Sequence, residues 1–266
     1  MADTAEIVLE VKNLDISFRS AGETVHAIRG VNLILRRGET VALVGESGSG
    51  KSVTMKAAMG ILADNAKING GSILYRPEPG AEPVDLLTAD PAWVRKNIRG
   101  RSIAMVFQDP MTSLNPTMTI GAQLVAAIRA HETVSRKEAW DRALNLLAEV
   151  GITEPERRMR QYPHEFSGGM RQRIVIAIAL SCNPNLLICD EPTTALDVTI
   201  QDHILELILS ARGWISISSA KRRRSAPSAS ARCSSGWAFP VIRGSAIPLS
   251  FPAASASVWA SPAHSS

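Results

Sequence analysis

Cysteine is scarce: there are three in 266 residues, Cys182, Cys189 and Cys233, with neither CxxC nor metal-ligand spacing. So sparse and odd a count argues against a disulfide framework and fits a reducing compartment. Long apolar runs are missing as well. Ile174–Leu180 is the longest, far short of the roughly 20 residues that cross a bilayer as a helix. Met1–Glu10 is acidic and lacks the apolar core of a secretory signal. The expectation is a soluble cytoplasmic chain that meets a membrane only through a partner. Acidic residues are absent from one whole end, since all 25 lie at or before Glu206. The formal charge of +4 therefore arises beyond that point, and the part before it is close to neutral. A nucleic-acid protein would carry its basic face within the patterned region, so no nucleic-acid partner is expected. What remains, 45% hydrophobic and 20% charged, is ordinary globular composition.

Within that region the periodicity alternates between strand and helix. Val8–Phe18 and Val31–Leu35 alternate apolar and polar residues and predict half-buried strands, with a turn at 21–23. The apolar run Glu39–Val44 predicts a buried strand, and Ser52–Leu62 a helix. Residues 77–83 read as a loop, and Ser102–Phe107 as a second buried strand. Met118–Val150 is helical in pattern, and Ser135-Arg-Lys-Glu138 inside it has the form of a capping box. A helix over Gly169–Leu180, a buried strand over Asn185–Cys189 and a helix over Thr199–Leu209 complete the reading.

Two motifs in this frame carry chemistry. Gly45, Glu46, Ser47, Gly48, Ser49, Gly50, Lys51 and Ser52 match G-x-x-x-x-G-K-[ST] without a gap, between an apolar strand and a helix. Glycines let backbone amides wrap phosphate oxygens, and the helix start adds positive potential at the same place. Lys51 is expected to reach the β- and γ-phosphates of ATP, and the Ser52 hydroxyl to ligate Mg²⁺. The apolar strand Asn185–Cys189 then ends in Asp190 and Glu191. Asp190 is expected to serve the metal and Glu191 to act as general base on the attacking water. A strand ending in two carboxylates is weak by itself and gains weight from the glycine-rich loop upstream.

A third motif discriminates among phosphate-binding proteins. Phe166-Ser167-Gly168-Gly169-Met170 leads into a helix and resembles the Leu-Ser-Gly-Gly-Gln signature of ABC ATPases, with Phe and Met replacing the flanking Leu and Gln. Pro110-Met-Thr-Ser-Leu-Asn-Pro116 and Tyr162-Pro-His-Glu-Phe166 resemble the di-/oligopeptide importer branch, which includes nickel and glutathione importers. The resemblance runs from about Val8 to Leu209. It implies an α/β P-loop fold with an N-terminal antiparallel β subdomain and an inserted helical subdomain at about 115–162. It implies that Ser167, Gly168 and Gly169 face the ATP held by a second ATPase subunit, identical or not. It implies Gln108 as a Q-loop residue near Mg²⁺ and the water, and Asp197 as a D-loop residue at the dimer interface. Phe18 is either the aromatic that stacks on adenine or a core phenylalanine. The implied partners are two transmembrane permease subunits and, indirectly, a peptide-binding protein, with the chain peripheral on the cytoplasmic face of the bacterial inner membrane.

The resemblance stops near Arg212. Family members continue into a buried strand ending in a switch histidine, yet here no histidine occurs between His203 and His264. Residues 213–266 hold 15 serines, 11 alanines and no acid, a composition without the periodicity that offsets ordering entropy. The resemblance implies an ATP-hydrolysing subunit that energises import of dipeptides or oligopeptides, and the missing histidine leaves as the alternative a truncated fragment that binds nucleotide without hydrolysing it. The expected organisation is an incomplete nucleotide-binding domain over 1–212. A tail over 213–266 follows that is disordered or derived from a shifted reading frame. Trp214-Ile-Ser-Ile-Ser218 could occupy the central slot of the missing strand, although its alternation suits a half-exposed strand better than one buried on both faces. An empty slot would strand two rows of backbone donors and acceptors.

Overall fold

The computed structural model describes residues 6–20, 22–46, 48–190, 214–219 and 241–245. Two sheets organise them. The first is antiparallel, ordered β2-β1-β4-β5, from β1 (Ile7–Ser20), β2 (Glu23–Arg36), β4 (Ala66–Tyr75) and β5 (Val84–Asp85). The second is ordered β6-β7-β8-β3-β9, from β3 (Glu39–Gly45), β6 (Ile103–Val106), β7 (Leu186–Asp190), β8 (Trp214–Ser219) and β9 (Val241–Ser245). Strands β6, β7, β8 and β3 run parallel, and β9 joins β3 antiparallel at the edge.

Alternate residues of β6 and β7 explain why their sequences read as unbroken apolar runs. Ile103, Met105, Leu186 and Ile188 enter the core shared with the antiparallel sheet. Ala104, Val106, Leu187 and Cys189 enter a second core shared with the helices. A strand buried on both faces needs apolar side chains at every position.

Helices follow their caps. α1 (Lys51–Ala58) is shorter than the sequence predicts because Gly60 turns at φ 61°. There the Arg99 guanidinium donates to the Met59 carbonyl at 2.7 Å and also to Gly60 O, taking up acceptors freed at the helix end. α2 (Pro91–Asn97) was not expected; Asp90 caps it by accepting from Trp93 N at 3.0 Å, with proline at the first position. A short α3 (Pro110–Ser113) precedes the helical unit. The single helical stretch expected over 118–150 divides into α4 (Ile120–His131) and α5 (Arg136–Glu149), capped by Thr119 and Ser135. α6 (Pro155–Arg158) and a 3-10 turn, Pro163–Glu165, lead to α7 (Gly168–Leu180). Among the described residues, no helix is long and apolar enough to cross a membrane.

Of the two outcomes left open for the central slot, the less favoured one is seen. Trp214–Ser219 lies between β7 and β3, with Ile215 paired to both Ile188 and Val41. The central slot is therefore filled, and the sheet continues into the segment set apart by its composition at residue 213. Backbone pairing explains this: the ladder satisfies two rows of donors and acceptors whatever the side-chain alternation. The helix expected over Thr199–Leu209 lies outside the described residues.

Candidate functional site

β3 delivers the chain to a loop that only glycine can build at two places. Gly48 and Gly50 have φ of 80° and 90°, the left-handed region that side chains avoid. At Gly50, the residue that starts α1, a Cβ would lie 2.4 Å from Ile28 Cδ1 and 2.9 Å from the Ala27 carbonyl. The loop is thus pressed against β2 of the other sheet. Ser49 closes it locally, its amide donating to Glu46 O at 3.2 Å and its hydroxyl to the same oxygen at 2.7 Å.

Lys51 folds back into this loop. Its ammonium donates to Gly45 O and Glu46 O, both at 2.8 Å, and to Ser49 Oγ at 3.1 Å. The side chain is 6% exposed, and these three acceptors are neutral. A buried cation surrounded by neutral dipoles gains strongly from an anion, so the cradle fits a polyphosphate.

The second half of the site comes from β7. Ser52, in the first turn of α1, donates its hydroxyl to Asp190 Oδ2 at 2.8 Å, across 138 positions of sequence. Asp190 is 8% exposed and is the last residue of its strand. A hydroxyl and a carboxylate are hard oxygen donors, the kind Mg²⁺ takes beside its waters. Among the described residues no group of three or more His, Cys, Asp or Glu could itself hold a metal. Cys189, next to Asp190, is fully buried. Burial first, and the neighbouring carboxylate second, push its thiol well above the ordinary range, so it fills space and neither ligates nor attacks.

A glycine-rich loop joined to a carboxylate-tipped parallel strand is common to many phosphate-binding proteins, and comparison along the chain narrows it to one family. The family model described as ABC transporter matches residues 28–194. The chain belongs to this family. It is 54% identical over 203 residues to the dipeptide transport ATP-binding protein DppD of Bacillus subtilis, a match covering 76% of this chain and 58% of that protein. With the oligopeptide transport ATP-binding protein OppD of the same organism it shares 55% identity over 202 residues, covering 76% and 54%. The chain thus spans little more than half the length of these curated relatives. Among solved structures it resembles the ATP-binding cassette MJ0796, seen as a post-hydrolysis dimer bound to ADP and Pi. That match has a TM-score of 0.68 and 27% identity, covering 79% of this chain and 87% of that one. Membership of the family brings nucleotide binding with it.

The remaining predicted residues lie at several distances from this centre. Ser167 caps α7, accepting from Met170 N at 3.3 Å. Ser167 and Gly168 are exposed, and among the described residues nothing lies within 4 Å of where a Gly168 Cβ would stand. Phe166 anchors the loop, 3% exposed, its carbonyl accepting from Arg171 Nε at 2.9 Å. Among the described residues no hydrogen bond joins Ser167, Gly168 or Gly169 to the P-loop. Gln108 is exposed, two residues past the end of β6.

Phe18 is half-buried, opposite Val25 in β2 and Ala66 in β4, and packs on the first core. A cleft of about 180 Å³ is lined by Val25, Ala27, Ile28, Gly48 and Ser49 among others, and Phe18 is not part of its lining. Ser47, Glu191 and Asp197 lie outside the described residues. Sequence spacing gave no sign of two contacts that shape the site, the β2 edge beneath Gly50 and the Arg99 clamp on α1. Both join residues distant in sequence, and neither belongs to a motif.

Proposed function

We propose that this chain is an ATP-hydrolysing subunit of an importer of dipeptides or oligopeptides. The bond between Ser52 and Asp190 carries the reading, because it closes the glycine-rich loop against the carboxylate strand at one point. The high identity to peptide-transport ATP-binding proteins supports the cargo class. ATP enters with its phosphates along the 45–52 loop, whose amides and Lys51 stabilise the negative charge that builds as the terminal phosphoryl group leaves. Mg²⁺, when bound, would be held by Ser52, Asp190 and Gln108 and would supply neutralisation of the phosphate charge. Lys51 exchanges its neutral loop acceptors for phosphate oxygens. Glu191 takes the proton of the attacking water, and Phe18 meets the adenine ring.

Two such subunits, alike or different, face each other so that Ser167, Gly168 and Gly169 of one complete the nucleotide site of the other, with Asp197 at their interface. The pair docks through the helical region at 115–162 on two transmembrane permeases, at the cytoplasmic face of the bacterial inner membrane. A peptide-binding protein feeds those permeases from the other side. Mg-dependent ATP turnover by the purified chain, beside a Glu191→Gln variant, tests the chemistry. Turnover that the substitution abolishes, with binding retained, supports the reading. Absence of nucleotide binding by the folded parent chain would sink it.

A further inference from the structure

The 3-10 turn ahead of the Ser167-Gly168-Gly169 loop holds an aromatic pair that no core requires. Tyr162 and His164 are stacked with ring centroids 5.9 Å apart and planes 12° from parallel. Both are exposed, Tyr162 by 41%. Stacked in this way each ring covers part of the other, so the pair is one braced aromatic unit with an outer face on either side. The turn that carries them is pinned from both sides. Glu165 accepts from the Tyr162 amide at 2.6 Å and from Gln161 Nε2 at 3.2 Å, while its own amide donates to Tyr162 O at 3.0 Å. Pro163 between the two rings is buried and fixes φ there. Phe166, one residue before Ser167, is buried beneath the Arg158 guanidinium, whose carbon lies 5.6 Å from the ring centre. A rigid aromatic surface left in water, and continuous in sequence with an exposed phosphate-type loop, has the composition of a nucleoside platform.

Resting on the two-subunit reading above, we infer that the stacked Tyr162–His164 pair lays one outer ring face on the purine of the nucleotide held by the facing subunit, while Ser167–Gly169 meet its phosphates. A purine has two faces, and a single ring such as Phe18 covers one of them. The Tyr162–His164 platform covers the other and makes the docking of two copies depend on the base as well as the triphosphate. These are positioning residues; neither touches the reacting phosphorus.

The test uses the full chain carrying Glu191→Gln, so that turnover does not dissolve the dimer. ATP-driven dimerisation is followed by sedimentation velocity, and ATP affinity of the monomer is measured at protein concentrations below dimerisation. Tyr162→Ala and His164→Ala are expected to leave monomer affinity unchanged and to weaken dimerisation about tenfold each, within the range base stacking spans. Tyr162→Phe, which keeps the ring, is expected to dimerise like the parent. With inorganic tripolyphosphate as the driving ligand, the parent and Tyr162→Ala are expected to behave alike, because no base is present to stack. Dimerisation by Tyr162→Ala as tight as the parent's, or failure of Tyr162→Phe to restore it, overturns the inference and leaves the two-subunit reading intact. A parent chain that binds ATP and stays monomeric overturns that reading, and the platform with it.

Discussion

Replacing Gly50 and Gly48 separately with alanine isolates what the β2 edge does to the nucleotide loop. Both glycines sit in the left-handed region, at φ 90° and 80°, so alanine at either costs about 1–2 kcal/mol in the backbone alone. They differ in surroundings. Among the described residues nothing lies within 4 Å of the Cβ position at Gly48, whereas at Gly50 the Ile28 side chain is 2.4 Å away and the Ala27 carbonyl 2.9 Å. Ile28 is 1% exposed and the carbonyl belongs to a strand, so neither moves without disturbing the core. Overpacking of that kind adds about 1–3 kcal/mol. The expected loss is therefore about 1–2 kcal/mol for Gly48→Ala and about 2–5 kcal/mol for Gly50→Ala. For a domain of this size each kcal/mol lowers Tm by roughly 2–4 °C, so Gly50→Ala is expected to melt roughly 4–20 °C below the parent. Thermal unfolding by circular dichroism, without nucleotide, reads the difference. Equal Tm losses in the two variants would falsify the packing argument and leave only backbone strain.

Two further outcomes follow from single contacts. Ser52→Ala removes the hydroxyl bonded to the nearly buried Asp190 carboxylate, and is expected to cost about 1.5–3 kcal/mol in urea unfolding without nucleotide. Ser52→Thr, which keeps the hydroxyl, is expected to stay near the parent; equal stability of the alanine variant would show that the bond contributes nothing. In the helical region, the hydrogen-bonded Arg142 guanidinium holds the Glu132 carboxyl below its usual range, against a smaller opposing effect of burial. A depressed folded pKa stabilises above the unfolded value and loses that contribution as pH falls through the folded one. Both side chains are about a third exposed, at 34% and 36%, so screening limits the effect of Glu132→Gln to about 1 kcal/mol or less at neutral pH. The variant and the parent are expected to converge in urea stability as acid carries the solution below the carboxylate range. A gap that persists there contradicts the ion-pair account.

Local chemistry was legible in the sequence because it is local. The glycine-rich loop after β3, the strand tipped by Asp190 and the helix that follows Ser167 each depend on a few adjacent residues, and each stands where the spacing places it. Runs buried on both faces announced β3, β6 and β7. Ser135 announced the start of α5, but Thr119 passed unnoticed, and one helical stretch became two.

Contacts between distant segments were beyond its reach. No spacing rule joins Ser52 to Asp190 at 2.8 Å, presses Gly50 onto Ala27 and Ile28, or sends Arg99 to the end of α1. The fate of Trp214–Ser219 shows the physical reason most clearly. Its alternation argued for a half-exposed strand, because side chains report on the faces of a sheet. Its place between β3 and β7 follows from backbone hydrogen bonding, which every residue but proline offers equally and which sequence composition does not record. Residue type set what each segment favours alone; the open rows of donors and acceptors on β3 and β7, present only once the sheet exists, decided which segment lies between them.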